Sequence, residues 1–421
     1  MALEPGPAAR PEQREPPEPA GSPCERAGSP DRSPRQRPEL LVLRGLGLGD
    51  LLTAVPALRA LRRAFPGHRL VLAAPAPLAE LLPLVGGVDE LVDVRGPGPV
   101  PTAAPAARGP DAPGPPAACD PDTSGPPAAH PTPTGPVPVR FALSGPPDVA
   151  VNLHGRGPQS TGALRRTRPG RLLAHAPEPG GPPWREDLHE VRRWCAFLEW
   201  YGVPADPEDL AIRAPADAAR DVARALARDT GPSLPLADGT AGAAPEAGDF
   251  ATAGVVGLSG AVGEVVGEVV GEVVVHPGAA SPARRWPPER FARVAAALPG
   301  VVITGVERDL GLRVAALAGL PAERVLRTGL RELAAVVARA RLVICGDTGV
   351  AHLATALGTP SVVLFGPVPP AFWGPPPGGP HVVLWKGRCG DPHGARPDPG
   401  LLEIDVPDVL DAALGLLEVN V

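Results

Sequence analysis

The 421-residue chain has one lysine (Lys386), one methionine and one tyrosine, and aromatic residues make up only 3% of it. Its other basic residues are all arginine, which reads as the GC-rich coding bias of a bacterium rather than a chemical requirement. The formal net charge of -6 lacks the basic excess that a nucleic-acid partner demands. Five cysteines (Cys24, Cys119, Cys195, Cys345 and Cys389) are scattered without a CxxC pair, which excludes a disulfide scaffold and fits a reduced, cytoplasmic protein. No run of 18 apolar residues occurs, so no transmembrane helix is expected. The first residues lack the apolar core of a signal peptide. No HExxH spacing occurs either, and the expectation for metal is none.

What is present suits two cores. Hydrophobic residues make up 43%, and the length exceeds what one core usually fills. The 62 prolines and 51 glycines are unevenly spread, marking tails and linkers. Residues 1–38 read as a disordered tail and 39–230 as an N-terminal domain interrupted at 96–147 by a disordered insertion. A low-complexity linker over 231–271 carries a threefold Gly-Glu-Val-Val repeat, read as slippage-expanded sequence, and 272–421 form a C-terminal domain.

Within both domains short apolar runs alternate with amphipathic stretches, the pattern of a parallel sheet. Strands are expected at Leu40–Arg44, Arg69–Ala73, Glu90–Val94 and Asp148–Leu153, then at Val273–His276, Val301–Thr304, Leu342–Cys345 and Ser361–Phe365. Helices are expected after Asp50, at Leu78–Val85, Leu188–Tyr201, Ala216–Ala227, Pro288–Leu298, Leu310–Gly319, Leu330–Ala340 and Val350–Leu357. A last helix, Val406–Leu417, could pack on either domain.

Five strand ends carry polar groups. Gly45-Leu46-Gly47-Leu48-Gly49-Asp50 has two glycines of a dinucleotide fingerprint, but Asp50 stands at the third glycine and would repel a pyrophosphate. No acidic residue follows on the second strand, so NAD binding is disfavoured. Asp50 is then a general base or simply a helix cap. In Gly346-Asp347-Thr348-Gly349-Val350-Ala351-His352 a strand turns into a helix whose free N–H groups favour an anion, with Thr348 donating and His352 one turn on. A capped helix with a core histidine is the alternative. Arg284 and Arg285 follow His276-Pro277-Gly278 and offer charge to phosphate, or are a solvated pair, while Trp286-Pro287 could anchor that loop. Glu307 follows a strand where an acidic group can hold ribose hydroxyls or sit at a helix start. Asn152 and His154, with Gly47 and Gly49, suit a sugar acceptor or donor, with a satisfied surface histidine as the alternative for His154.

In this order the blocks Arg44…Gly49-Asp50…Pro56, His276-Pro277-Gly278 with basic-Trp-Pro, Gly305-x-Glu307 and Gly346-Asp347-Thr348-Gly349-x-x-His352 resemble glycosyltransferase family 9, the heptosyltransferase-like enzymes. The resemblance covers most of 40–95, 148–160 and 273–366. It implies an α/β GT-B fold, two Rossmann-like domains facing a cleft, and inverting, metal-independent transfer of a heptose or other hexose-like sugar. No cofactor is implied; a nucleoside-diphosphate sugar is the donor. The acceptor would be a glycan or lipid-linked hydroxyl, reached in the cytoplasm or at the inner face of the cell membrane with peripheral membrane contact. Carried over by position, Asp50 matches the catalytic base. Arg285, Glu307, Asp347, Thr348, Gly349 and His352 match donor contacts, with Arg285 where the family often has lysine. Gly45, Leu46 and Gly47 replace the serines frequent in the family's first turn, and the 96–147 insertion and the repeat are not family features. A nucleotide-sugar 2-epimerase of GT-B fold and a non-catalytic nucleotide-binding module are the alternatives.

Overall fold

A computed structural model describes residues 37–102, 136–176, 180–227 and 273–419. Most of the 1–38 tail, the centre of the 96–147 insertion and the 231–271 linker with its repeat lie outside the described residues. Arg37–Val421 form one compact unit.

The N-terminal half begins with β1 (Glu39–Leu43). Both faces of its Leu40–Leu43 run are buried, as in the centre of a parallel sheet covered on both sides. The chain turns through Gly45 and Gly47 into α1 (Leu48–Thr53) and α2 (Val55–Ala64). One continuous helix was expected. Pro56 has no N–H to give to residue 52, so the helix breaks at Ala54 and restarts with proline in its first turn. Next come β2 (Arg69–Ala74), β3 (Glu90–Asp93), β4 (Val139–Arg140) and β5 (Val149–Asn152). Then follow α3 (Gln159–Arg166), β6 (Arg171–Leu173), α4 (Glu190–Trp200) and α5 (Ala218–Ala227). Between β2 and β3 the expected helix is a 3-10 turn, Ala76–Glu80, followed by one helical turn, Leu82–Val85.

The C-terminal half contains β7 (Val273–His276), α6 (Pro288–Ala297), β8 (Val301–Thr304), α7 (Arg308–Ala318), β9 (Val325–Leu326) and α8 (Leu330–Arg339). It continues with β10 (Leu342–Gly346), α9 (Gly349–Leu357), β11 (Ser361–Leu364), β12 (His381–Leu384) and α10 (Val406–Val419). The last helix packs on the C-terminal sheet and on α6. Helix α5, expected with the N-terminal half, packs on α8, where Arg331 Nε lies 3.0 Å from Asp221.

Both sheets are parallel, in the orders β4-β3-β2-β1-β5-β6 and β12-β11-β10-β7-β8-β9. In each, the first strand sits mid-sheet with later strands laid out on either side. That is the switch point of a doubly wound sheet, outside whose carboxyl ends ligands bind. Leu43 pairs with Asn152 and Cys345 with His276, so the polar strand ends separated in sequence become neighbours two by two.

The insertion expected to be structureless from 96 to 147 is not so throughout. Val139–Arg140 add a strand beside β3, and Thr102 bridges Leu143. Two residues after Pro138 offer no readable period, and a strand this short is held by its neighbour rather than by its own pattern. The short strands β6 and β9 and the partly exposed β12 escaped notice for the same reason.

Trp286 does anchor its loop. Its indole is buried edge-on against Phe291, and Nε1 donates to the carbonyl of Ile404, 3.0 Å away. Trp286→Ala removes a large buried side chain and one of the two donors to that carbonyl, with Arg290 remaining as the other. The expected cost is about 3–5 kcal/mol in urea unfolding; a loss below ~1 kcal/mol contradicts the anchoring role.

Candidate functional site

The two glycine-rich turns meet. A Cβ on Gly49 would lie 2.7 Å from Cδ2 of His352, and one on Gly349 would lie 2.9 Å from Leu48 Cβ and 3.1 Å from Gly49 N. Glycine at both positions is therefore what lets the starts of α1 and α9 touch. Gly45 is needed for a similar reason, since a Cβ there would strike the Gly96 carbonyl. Gly47 is exposed at the N-cap of α1.

Asp50 sits in the first turn of α1 with its side chain 27% exposed. Beneath it lies Arg44, 1% exposed, at the end of β1. The guanidinium donates Nε to the Asp50 carbonyl (2.9 Å), Nη1 to the Leu153 carbonyl (2.5 Å) and Nη2 to Glu190 (2.9 Å). Nη2 also reaches the Asp50 carboxylate at 3.2 Å and Thr53 Oγ1 at 3.3 Å. Burial raises the Asp50 pKa above the ordinary aspartate value. Arg44 opposes the rise, Glu190 adds to it, and the Gly47 N–H opposes it. Such a carboxylate accepts a proton more readily than a solvated one.

On the facing half, α9 starts at Gly349 with Thr348 extended at its N-cap and making no side-chain cap bond. The hydroxyl and the first backbone N–H groups of α9 are thus not engaged by a cap, the arrangement that favours an anion at a helix start. Asp347, 6% exposed, lies 3.5 Å from Arg284, and burial raises its pKa against the opposing pull of that guanidinium. The arginine beside this turn is therefore Arg284. Arg285 instead donates to the Ala279 carbonyl (3.0 Å) and pairs with Glu307 (2.6 Å), which brings two expected donor contacts together at the end of β8. Next to them a cavity of about 250 Å3 is lined by Gly305, Val306, Val325, Leu326, Arg327 and Leu330. His276, buried on Thr304 (2.9 Å) and held at about 4 by desolvation, braces β7 to β8 beneath it.

His352 packs on Gly49 and meets Trp373 at 5.9 Å. Its pKa is pushed down to about 4, chiefly by burial and next by neighbouring His189. The ring is neutral at pH 7 and offers a hydrogen bond; it does not carry the charge that would neutralise a diphosphate.

Of the expected acceptor residues, Asn152 is corrected. It is fully buried, and its amide nitrogen donates to Ser160 and Thr161 (3.0 Å each) while its oxygen accepts from the His154 N–H. These bonds fix the start of α3 and leave nothing for a sugar. His154 is only partly buried, and burial and then the nearby Arg44 charge lower its pKa. The sequence alone does not single out Glu190 or Trp194, shows Arg44 only within a motif block, and leaves Arg284 and Arg285 as equal candidates for a phosphate. A charged residue ending an apolar strand was the available signal for Arg44; Glu190, 146 residues away, looked like any carboxylate in a first helical turn. Among the described residues no cluster of three or more His, Cys, Asp or Glu stands poised for a metal, and no helix is long and apolar enough to cross a membrane.

Comparison with known proteins fits this geometry. The family model for glycosyltransferase family 9 (heptosyltransferase) matches residues 266–388. Lipopolysaccharide heptosyltransferase 1 of Pseudomonas aeruginosa is 44% identical over 72 residues, which is 17% of this chain and 20% of that relative. The glycosyltransferase family 9 structure from Veillonella parvula superposes with a TM-score of 0.58 at 19% identity, covering 92% of this chain and 100% of its own. The ADP-heptose lipopolysaccharide heptosyltransferase II of E. coli gives 0.54 at 17% identity, covering 91% and 99%. These two establish the GT-B fold. The chain thus resembles glycosyltransferase family 9 over residues 266–388, within a two-sheet fold like that of the two solved structures.

Proposed function

We propose that the protein is an inverting glycosyltransferase that moves a heptose or hexose-like sugar from a nucleoside diphosphate to an acceptor hydroxyl on a glycan or glycolipid. The observation that supports this reading is the contact of the two helix starts, which brings the turn of α1 that carries Asp50 against the Gly349 start of α9. The donor base and ribose would occupy the cavity beside Arg285 and Glu307, and the diphosphate would lie at the start of α9. Asp50 takes the acceptor proton as its oxygen attacks the anomeric carbon. The bond to the β-phosphate oxygen breaks, and the diphosphate leaves with its new charge against the α9 N–H groups, Thr348 and Arg284. His352 contributes a hydrogen bond. A single displacement inverts the anomeric centre, and the helix start with Arg284 supplies the countercharge that a metal would otherwise give. A lipid-linked acceptor at the inner membrane face is supported by the lipopolysaccharide class named for the P. aeruginosa relative.

A thermal-shift screen of ADP-, GDP-, UDP- and dTDP-sugars identifies the donor, because a bound ligand raises the melting midpoint. With that donor, Asp50→Ala is expected to lose about 10²–10⁴ in transfer rate while keeping the donor shift; transfer at the wild-type rate would eliminate Asp50 as base. Product NMR should show the anomer opposite to the donor's, and retention would eliminate the single displacement.

The raised Asp50 pKa also has a stability sign. The folded state holds this proton at pH values where the unfolded chain has released it. The carboxylate therefore costs stability above its folded pKa, and the cost vanishes as pH falls below the ordinary aspartate value. Asp50→Asn is expected to melt higher than wild type at pH 7, with the difference shrinking toward pH 4; equal or lower melting at pH 7 contradicts the sign.

A further inference from the structure

Glu190 lies outside the strand-end turns, in the first turn of α4, yet two arginines and an indole converge on it. Its Oε1 accepts from Arg44 Nη2 at 2.9 Å and from Trp194 Nε1 at 2.7 Å, and its Oε2 accepts from Arg193 Nη1. Arg193 is fixed in turn, giving Nε to the Arg185 carbonyl (2.9 Å) and Nη2 to the Leu188 carbonyl (2.9 Å). Trp194 is buried and lies against the Arg44 guanidinium, 4.9 Å from ring centre to Cζ. Nothing in this cluster needs to move for Glu190 to keep its place.

The same Nη2 of Arg44 serves both carboxylates, at 2.9 Å to Glu190 and 3.2 Å to Asp50. Were Asp50 the guanidinium's sole carboxylate partner, a buried arginine would hold it strongly ionised and weakly basic; a neighbouring cation lowers an aspartate by about 1–3 units. We propose that Glu190 is a positioning residue that divides the Arg44 charge between itself and Asp50, leaving Asp50 oriented by the arginine yet still a competent base. The proposal rests on the reading of Asp50 as the base.

Other groups cannot substitute for it. Asp50 meets Arg44 after β1, Glu190 at α4, the Gly47 N–H and Thr53, while His154 after β5, His189 and Arg193 at α4 and His352 from α9 stand near its partners Arg44 and Glu190. All three histidines are shifted down, chiefly by burial, and are uncharged at neutral pH. Glu190 is the carboxylate whose charge acts on Asp50 alongside that of Arg44.

The test uses the full chain labelled with 13C at the aspartate carboxyls and titrated by NMR, with no substrate required. The resonance missing in Asp50→Asn is Asp50. In Glu190→Gln, which keeps an oxygen for Arg44 and Trp194, the Asp50 midpoint should fall by about one pH unit. In Trp194→Phe, where Glu190 loses a neutral donor and leans harder on Arg44, it should rise. An unmoved midpoint in a folded Glu190→Gln protein overturns the proposal; if that variant does not fold, an unmoved or lowered midpoint in Trp194→Phe does so. Transfer assays separate the two claims. Asp50→Asn active at the wild-type rate removes the base reading whatever the titration shows. Asp50→Asn inactive with the midpoint unmoved removes only the role of Glu190.

Discussion

A guanidinium with 1% of its surface exposed is the constraint around which the N-terminal half of the site is built. Removing such an ion from water costs several kcal/mol even after relaxation, so every donor must find a partner. Arg44 finds them on three segments: a carbonyl and a carboxylate in α1, the carbonyl that follows β5, and a carboxylate in α4. Satisfying one buried charge thus fixes the first turn of α1, the polar loop after β5 and the start of α4 relative to one another. Asp50 inherits its position from that arrangement.

Close approach of backbones does the corresponding work between the halves. Gly49 and Gly349 have no room for a side chain, and the absence of Cβ lets α1 and α9 meet start to start. The positive ends of both helices then point at one region. Asp50 in the first turn of α1 meets that field on one side, and Thr348 with Arg284 presents it to an anion on the other. The proposed division of roles follows from this field: a carboxylate in the first turn of α1 would repel a diphosphate there, and the uncapped start of α9 would receive it.

Much of this was legible in the sequence because it was local. Val301–Thr304 reads as a strand from four residues, and Gly346-Asp347-Thr348-Gly349 reads as a strand-to-helix turn from the order of its types. Parallel sheets bury their strands on both faces, so these apolar runs were easy to see. What was hidden depends on partners distant in the chain. Glu190 and Arg44 are 146 residues apart, and no pattern near Glu190 distinguishes it from a helix-dipole carboxylate. Asn152 erred the other way: a polar residue at a strand end suits a ligand, but Ser160 and Thr161 claim its amide. The choice between Arg284 and Arg285 turns on a 3-10 turn, Pro282–Arg284, that adjacent arginines cannot reveal. The neutrality of His352 comes from burial under α1, a fact of the assembled halves.

The most direct test of this division of roles is a crystal structure with the nucleoside diphosphate that most raises the melting midpoint. The account predicts the β-phosphate at the Thr348 hydroxyl and the first N–H groups of α9, with the base in the cavity beside Arg285 and Glu307 and the Asp50 carboxylate left facing the acceptor side. A diphosphate bound instead in the Gly45–Gly49 turn, in the manner of a dinucleotide cofactor, would contradict it.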